Sequence, residues 1–169
     1  MNSDLSESLL REIEMAFPRV EMPERSRLLF KGMQGVGDSE LLVQDLEELR
    51  GKPIDGAVIR SVHQELSFLS AETWRWLLPH YLRYCLTDEA RYNRFETQFL
   101  IYNLGPSLEF QRDTQKKLAL LTKSQLACLI HFLKWCMEDG DWKDLFEENI
   151  ARAISFIETV AADRPATEQ

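Results

Sequence analysis

Long apolar runs are missing from this sequence: none approaches the ~18 residues that a membrane-crossing helix needs, so no membrane partner is expected. The opening "MNSDLSES" is polar and acidic, without the basic and apolar regions of a secretory signal, so none is expected. Cysteine is scarce, with three thiols at wide spacings, Cys85, Cys128 and Cys136. An odd, scattered set does not make a disulfide framework and fits a reducing cytosol, so a cytoplasmic location is expected. Basic runs stop at the pair Lys116–Lys117, and 28 acids against 20 bases leave a net charge of −8. Long-range electrostatics therefore oppose a polyanion, and nucleic acid is not an expected partner. Alternating strand patterns are also lacking. The dipeptide "DG" occurs at Asp55–Gly56 and Asp139–Gly140, but between helical patterns rather than between alternating runs. No internal repeat recurs at the roughly 33–45 residue periods of helical solenoids.

What remains is helical periodicity. With 169 residues, 44% apolar and 28% charged, the chain has the balance of one globular domain with a sizeable core. Leu5, Leu9, Ile13, Ala16 and Phe17 recur at helical spacing until Pro18, with Ser3 or Asp4 as cap. Arg19 to Gly37, rich in glycine and holding Pro23, reads as a connection with at most a short helix at Glu24–Lys31. Ser39 opens a helix carrying Leu42, Leu46 and Leu49, stopped by Gly51 and Pro53, and a third runs from Asp55 to Leu66. Ser70 caps a helix with Trp74, Leu77, Leu78, Tyr81, Leu82 and Cys85 on its core stripe. Asp88 caps another, with Tyr92, Phe95, Phe99 and Tyr102 on one stripe and Gly105–Pro106 as its stop. Thr122 and Gln125 have capping-box spacing before Leu126, Leu129, Ile130, Leu133 and Met137. Asp141 caps the last helix, whose inward residues are Trp142, Leu145, Phe146, Ile150, Ile154 and Ile157. The expected fold is a single all-α domain of about six to eight helices over residues 1–162, with a frayed tail at 163–169.

Two surfaces stand out. Trp76, His80, Arg83 and Tyr84 lie opposite the core stripe of the Ser70-capped helix, beside Pro79, which removes a backbone hydrogen bond and either bends the helix or starts another. Aromatic residues with a cation are the composition of binding hot spots, so these four are the candidate partner surface. The bland alternative is that this helix is central and packed on both sides, burying Trp76 and leaving Arg83 and the tip of Tyr84 at the edge. The second surface is acidic: Glu138, Asp139, Asp141, Asp144, Glu147 and Glu148 give a local negative field that would attract a basic protein. The same stretch fails as a calcium loop, because from Asp139 the fifth, sixth and twelfth positions are Lys143, Asp144 and Ile150.

Signatures of catalysis and cofactors are lacking. There is no nucleophile elbow, P-loop or dinucleotide fingerprint, and "GMQGVG" has the wrong spacing. Cys128 and His131 share a helical face, but Cys136 lies two turns away and the other histidines, His63 and His80, are remote in sequence. No catalytic residue, cofactor or metal is therefore expected.

Short motifs run the length of the chain: "AFP" at Ala16–Pro18, "DSEL" at Asp38–Leu41, "GK" at Gly51–Lys52, "LSFLS" at Leu66–Ser70, "LPHYL" at Leu78–Leu82 and "LTKSQ" at Leu121–Gln125. In these the sequence resembles an uncharacterised bacterial family, a domain of unknown function. The resemblance implies a small soluble helical protein and supplies no active-site residues. The leading expectation is a non-enzymatic interaction module for a basic protein, in one version an immunity-type protein that neutralises a basic toxin. The alternative is a small enzyme using His80 with neighbouring acids as general base.

Overall fold

The computed structural model describes residues 3–33 and 35–164. Its α-helices are α1 (Ser3–Ala16), α2 (Ser39–Glu47), α3 (Gly56–Val62), α4 (Ala71–Cys85), α5 (Asp88–Asn93), α6 (Phe95–Leu104), α7 (Gln111–Lys117), α8 (Lys123–Glu138) and α9 (Gly140–Ala162). Short 3-10 turns sit at Arg25–Arg27, His63–Phe68 and Leu108–Phe110. Extended pairing among the described residues is limited to one antiparallel bridge, Leu29 with Leu69. The all-α, single-domain expectation holds.

Local chemistry starts the principal helices where the sequence placed them. Ser70 caps α4: its Oγ accepts from the Thr73 N–H at 3.1 Å and donates to the Arg27 carbonyl at 2.6 Å. The Thr73 hydroxyl donates to the Leu28 carbonyl at 2.7 Å, so the cap also ties down the segment leading from α1. At α8 the capping box is complete, Thr122 Oγ1 accepting from Gln125 N–H at 3.3 Å and Gln125 Oε1 from Thr122 N–H at 3.0 Å. Each such cap contributes about 1 kcal/mol.

α8 and α9 form the principal antiparallel pair, with α1 laid against α8 and α6 against α9. α4 is central, packing on α1, α3, α5 and α7. It runs through Pro79 as one uninterrupted helix, so neither a second helix nor a hinge begins at Leu78. Its predicted stripe is core: Trp74, Leu77, Leu78, Tyr81, Leu82 and Cys85 are all buried. Trp74 Nε1 donates to the Leu66 carbonyl at 2.9 Å, and the Tyr81 hydroxyl donates to the Glu96 carbonyl at 2.8 Å.

Several boundaries differ from the sequence reading. The third helix is α-helical only to Val62 and finishes as the 3-10 turn His63–Phe68. The helix expected from Asp88 to Tyr102 is two helices, because Arg94 adopts left-handed φ of 67°, ending α5 and starting α6. Thr87, not Asp88, caps α5, its hydroxyl accepting from the Ala90 N–H at 3.2 Å. α7 had no counterpart in the periodicity. α9 begins at Gly140, whose predecessor Asp139 accepts from the N–H groups of Trp142 and Lys143 at 3.1 and 2.9 Å, so Asp141 lies inside the helix rather than capping it. Phe146 departs from helical geometry (φ −136°, ψ 17°), and this shift of phase leaves Leu145 exposed instead of inward. At the chain's end α9 stops at Ala162, and Arg164 Nη2 donates to the Leu118 carbonyl at 2.9 Å. Residues 165–169 of the expected tail lie outside the described residues.

Candidate partner-binding surface

The four residues opposite the α4 core stripe do not form one exposed face. Trp76 and Tyr84 keep only 7% and 5% of their surface, and His80 and Arg83 are half-buried. The reason is the central position of α4, which has helices on both sides. The Tyr84 hydroxyl accepts from Arg60 Nη1 at 3.4 Å, and Arg60 is paired in turn with Glu89. The ring of Tyr84 also lies against the start of α3, where a Cβ on Gly56 would come within 2.7 Å of it. Trp76 lies with its ring centroid 6.5 Å from that of His80. Burial first, and then the charges of Arg83 and Arg19, hold the His80 imidazole below its ordinary pKa. The charged groups acting on His80 are therefore cations, the opposite of the neighbouring acids that a general-base reading requires.

The acidic stretch divides. Asp139 is buried and pairs with Arg91 at 3.0 Å, joining α5 to the α8–α9 junction, so its charge is spent on the fold. Glu138, Asp144, Glu147 and Glu148 are exposed. The side chain of Asp141 lies outside the described residues.

Beside these acids lies a surface that the sequence reading took for an ordinary helical stripe. Tyr92 is 89% exposed and Phe95 63%, while the very next residue, Glu96, is 3% exposed and Thr97 is fully buried. The first turn of α6 is thus inverted, with its aromatic ring in solvent and its carboxylate inside. The break at Arg94 resets the helical phase, and Leu100, Ile101 and Leu104 then fix the inward side of α6. Tyr102, also exposed, carries the stripe to α9 through an edge-to-face contact with Phe146, centroids 6.1 Å apart. Next to Phe146 stand exposed Leu145 on one side and Glu147 and Glu148 on the other. Phe99, half-buried between Phe95 and Tyr102, meets His63 edge-on at 5.0 Å. Exposed rings on α5 and α6 and exposed carboxylates at the start of α9 are thus linked through the Tyr102–Phe146 contact.

Residues 6–158, which include all of this surface, match the model of a family of unknown function, DUF6714. The chain belongs to that family. No curated protein and no solved structure matches it.

The DUF6714 chain has three free cysteines, all buried. Burial pushes the Cys85 and Cys128 thiols up to about 12, and Cys136 well above the ordinary thiol range. Thiols held protonated in this way are poor nucleophiles and poor metal ligands. Among the described residues no group of three or more His, Cys, Asp or Glu is placed to hold a metal ion. His131 Nδ1 instead hydrogen-bonds to the Glu12 carboxylate at 2.8 Å, linking α8 to α1 at the surface. No helix among the described residues is long and apolar enough to cross a membrane.

Proposed function

We propose that this protein is a non-catalytic interaction module that receives a basic protein on the aromatic and acidic surface of α5, α6 and the start of α9. The inverted first turn of α6 carries the reading. Exposing Phe95 while burying Glu96 and Thr97 is unfavourable for an isolated chain, since a large apolar ring stays wetted and a carboxylate is desolvated. A partner that covers Phe95, Tyr92 and Tyr102 recovers the apolar burial, and aromatic anchors of this kind dominate binding energy in most interfaces. The exposed carboxylates Asp144, Glu147 and Glu148 at the edge steer a cationic partner and select against acidic ones. A partner of the basic-nuclease type fits this charge, which makes the protein an immunity-type neutraliser in the specific version of the proposal. Free, buried thiols suit action in the cytoplasm, with residues 1–162 as the folded unit.

The test is site-specific photo-crosslinking in the native cell with a photoreactive phenylalanine at Phe95. The expected result is one adduct with a basic protein, lost when Tyr102→Ala and Glu147→Lys are combined, and absent when the probe sits at exposed Met15 on α1. An adduct with an acidic protein, or none beyond that seen from position 15, defeats the proposal.

A further inference from the structure

A separate cleft opens beside α2. It has a volume of about 780 Å³ and is bounded by α2, the residues preceding α2, and the α3 end with its 3-10 turn. That volume is in the range of sites for small organic ligands, about 300–1,000 Å³. Leu42, Leu49, Val62 and Phe68 give it an apolar lining, and Val36 and Leu41 stand exposed at its mouth. Its charged lining is one-sided: Asp38, Asp45, Glu48 and Glu65 against a single base, Lys52. Other acids in this region are neutralised, Glu40 by Arg25 and Glu47 by Arg50. None of the four cleft carboxylates makes an ion pair among the described residues.

We propose that this cleft binds a small organic cation with an apolar body, an amine or amidine on an alkyl or aryl frame. The apolar lining takes the body, a contribution proportional to the area it buries. The unpaired carboxylates at its rim attract the cationic head through their net negative field. An anion meets a net charge of −3 from these five side chains and is rejected. A bare metal ion is disfavoured by the same geometry, since the carboxylates do not converge as a ligand group. The residues of this site lie on or beside α2, α3 and its 3-10 turn and none belongs to the surface on α5, α6 and α9, so the two proposals are tested by different variants.

Isothermal titration of the full chain with octylamine, octanoate and spermine separates the two contributions. Octylamine is expected to bind saturably at one site, at least about tenfold tighter than either other probe, and to weaken as salt is raised. Asp45→Asn combined with Glu48→Gln, both at exposed positions, is expected to weaken octylamine by about tenfold while leaving the melting temperature unchanged. A single salt-dependent change at Glu48→Gln is the fallback if the double variant melts early, and loss of affinity there supports the site equally. Octanoate binding as tightly as octylamine would show a greasy hollow without charge selection. Spermine binding as tightly would show an acidic surface without an apolar site. Either result, or no saturable octylamine binding up to several millimolar, overturns the proposal.

Discussion

Replacing Trp74 and Trp76 one at a time by alanine tests whether α4 is covered on both sides. Both rings are buried, on opposite sides of the helix. A buried indole removes roughly 200 Å² from water, worth ~5 kcal/mol at ~25 cal/mol/Å². Partial collapse of the neighbouring side chains brings the loss to about 3–5 kcal/mol for each variant. Trp74 also donates to the Leu66 carbonyl at 2.9 Å, and stranding that acceptor adds ~1 kcal/mol to Trp74→Ala. In a chain of this length 1 kcal/mol moves the melting temperature by about 2–4 °C, so Trp76→Ala is expected to lower it by roughly 10 °C, with Trp74→Ala slightly lower still. Urea denaturation followed by circular dichroism gives the same comparison free of extrapolation in temperature, provided the slope is unchanged between variants. Trp76→Ala within about 0.5 kcal/mol of the parent would refute two-sided burial and return Trp76, His80, Arg83 and Tyr84 to the surface as a candidate interface.

Three further outcomes are expected. Tyr92→Ala and Phe95→Ala, both exposed, change stability by less than about 0.5 kcal/mol, and a loss above ~2 kcal/mol in a urea melt would mean that the α5–α6 stripe is interior. Gly105→Ala destabilises by about 1–3 kcal/mol, because its Cβ would stand 2.8 Å from the Cβ and backbone nitrogen of Ala153 and force α6 off α9; an unchanged melt contradicts that close approach. Stability falls as pH rises from about 9 towards 12, because the unfolded chain releases thiol protons near ~8.5 while burial holds Cys85 and Cys128 protonated up to about 12. The stabilisation is whole below the unfolded value and is lost across that window at up to ~1.4 kcal/mol per pH unit per thiol, so Cys85→Ala is expected to flatten the dependence and an unaltered slope excludes the assignment.

The features that the sequence made legible are those decided within a turn of the chain. Ser70 with Thr73, and Thr122 with Gln125, need only a side chain and an amide three residues apart, and both caps form as read. The α4 core stripe was equally plain, since Trp74 to Cys85 repeats at helical spacing. The failures have non-local or unpunctuated causes. Arg94 turns left-handed with no glycine to announce it, so one helix was read where two exist. α7, "QRDTQKK", is held by buried Thr114 and Lys117 and has no apolar period to detect. Trp76 and Tyr84 are buried, as the alternative of a helix packed on both sides has it, but nothing local in the sequence decides between that and exposure. The exposure of the aromatic surface was hidden for the same reason. Spacing alone puts Tyr92, Phe95, Phe99 and Tyr102 on one stripe without saying which way it faces, and what α6 turns inward is set further along, by buried Leu100, Ile101 and Leu104 and by Tyr81 bonding the Glu96 carbonyl. Rotating α6 by about one residue, ~100°, would bury Phe95 and free Glu96, but it would withdraw those three aliphatic side chains from the core. Each of them is fully buried and contributes about 1.5–3 kcal/mol, more than Phe95 alone can return. The exposed ring is therefore the consequence of the better-packed end of the helix.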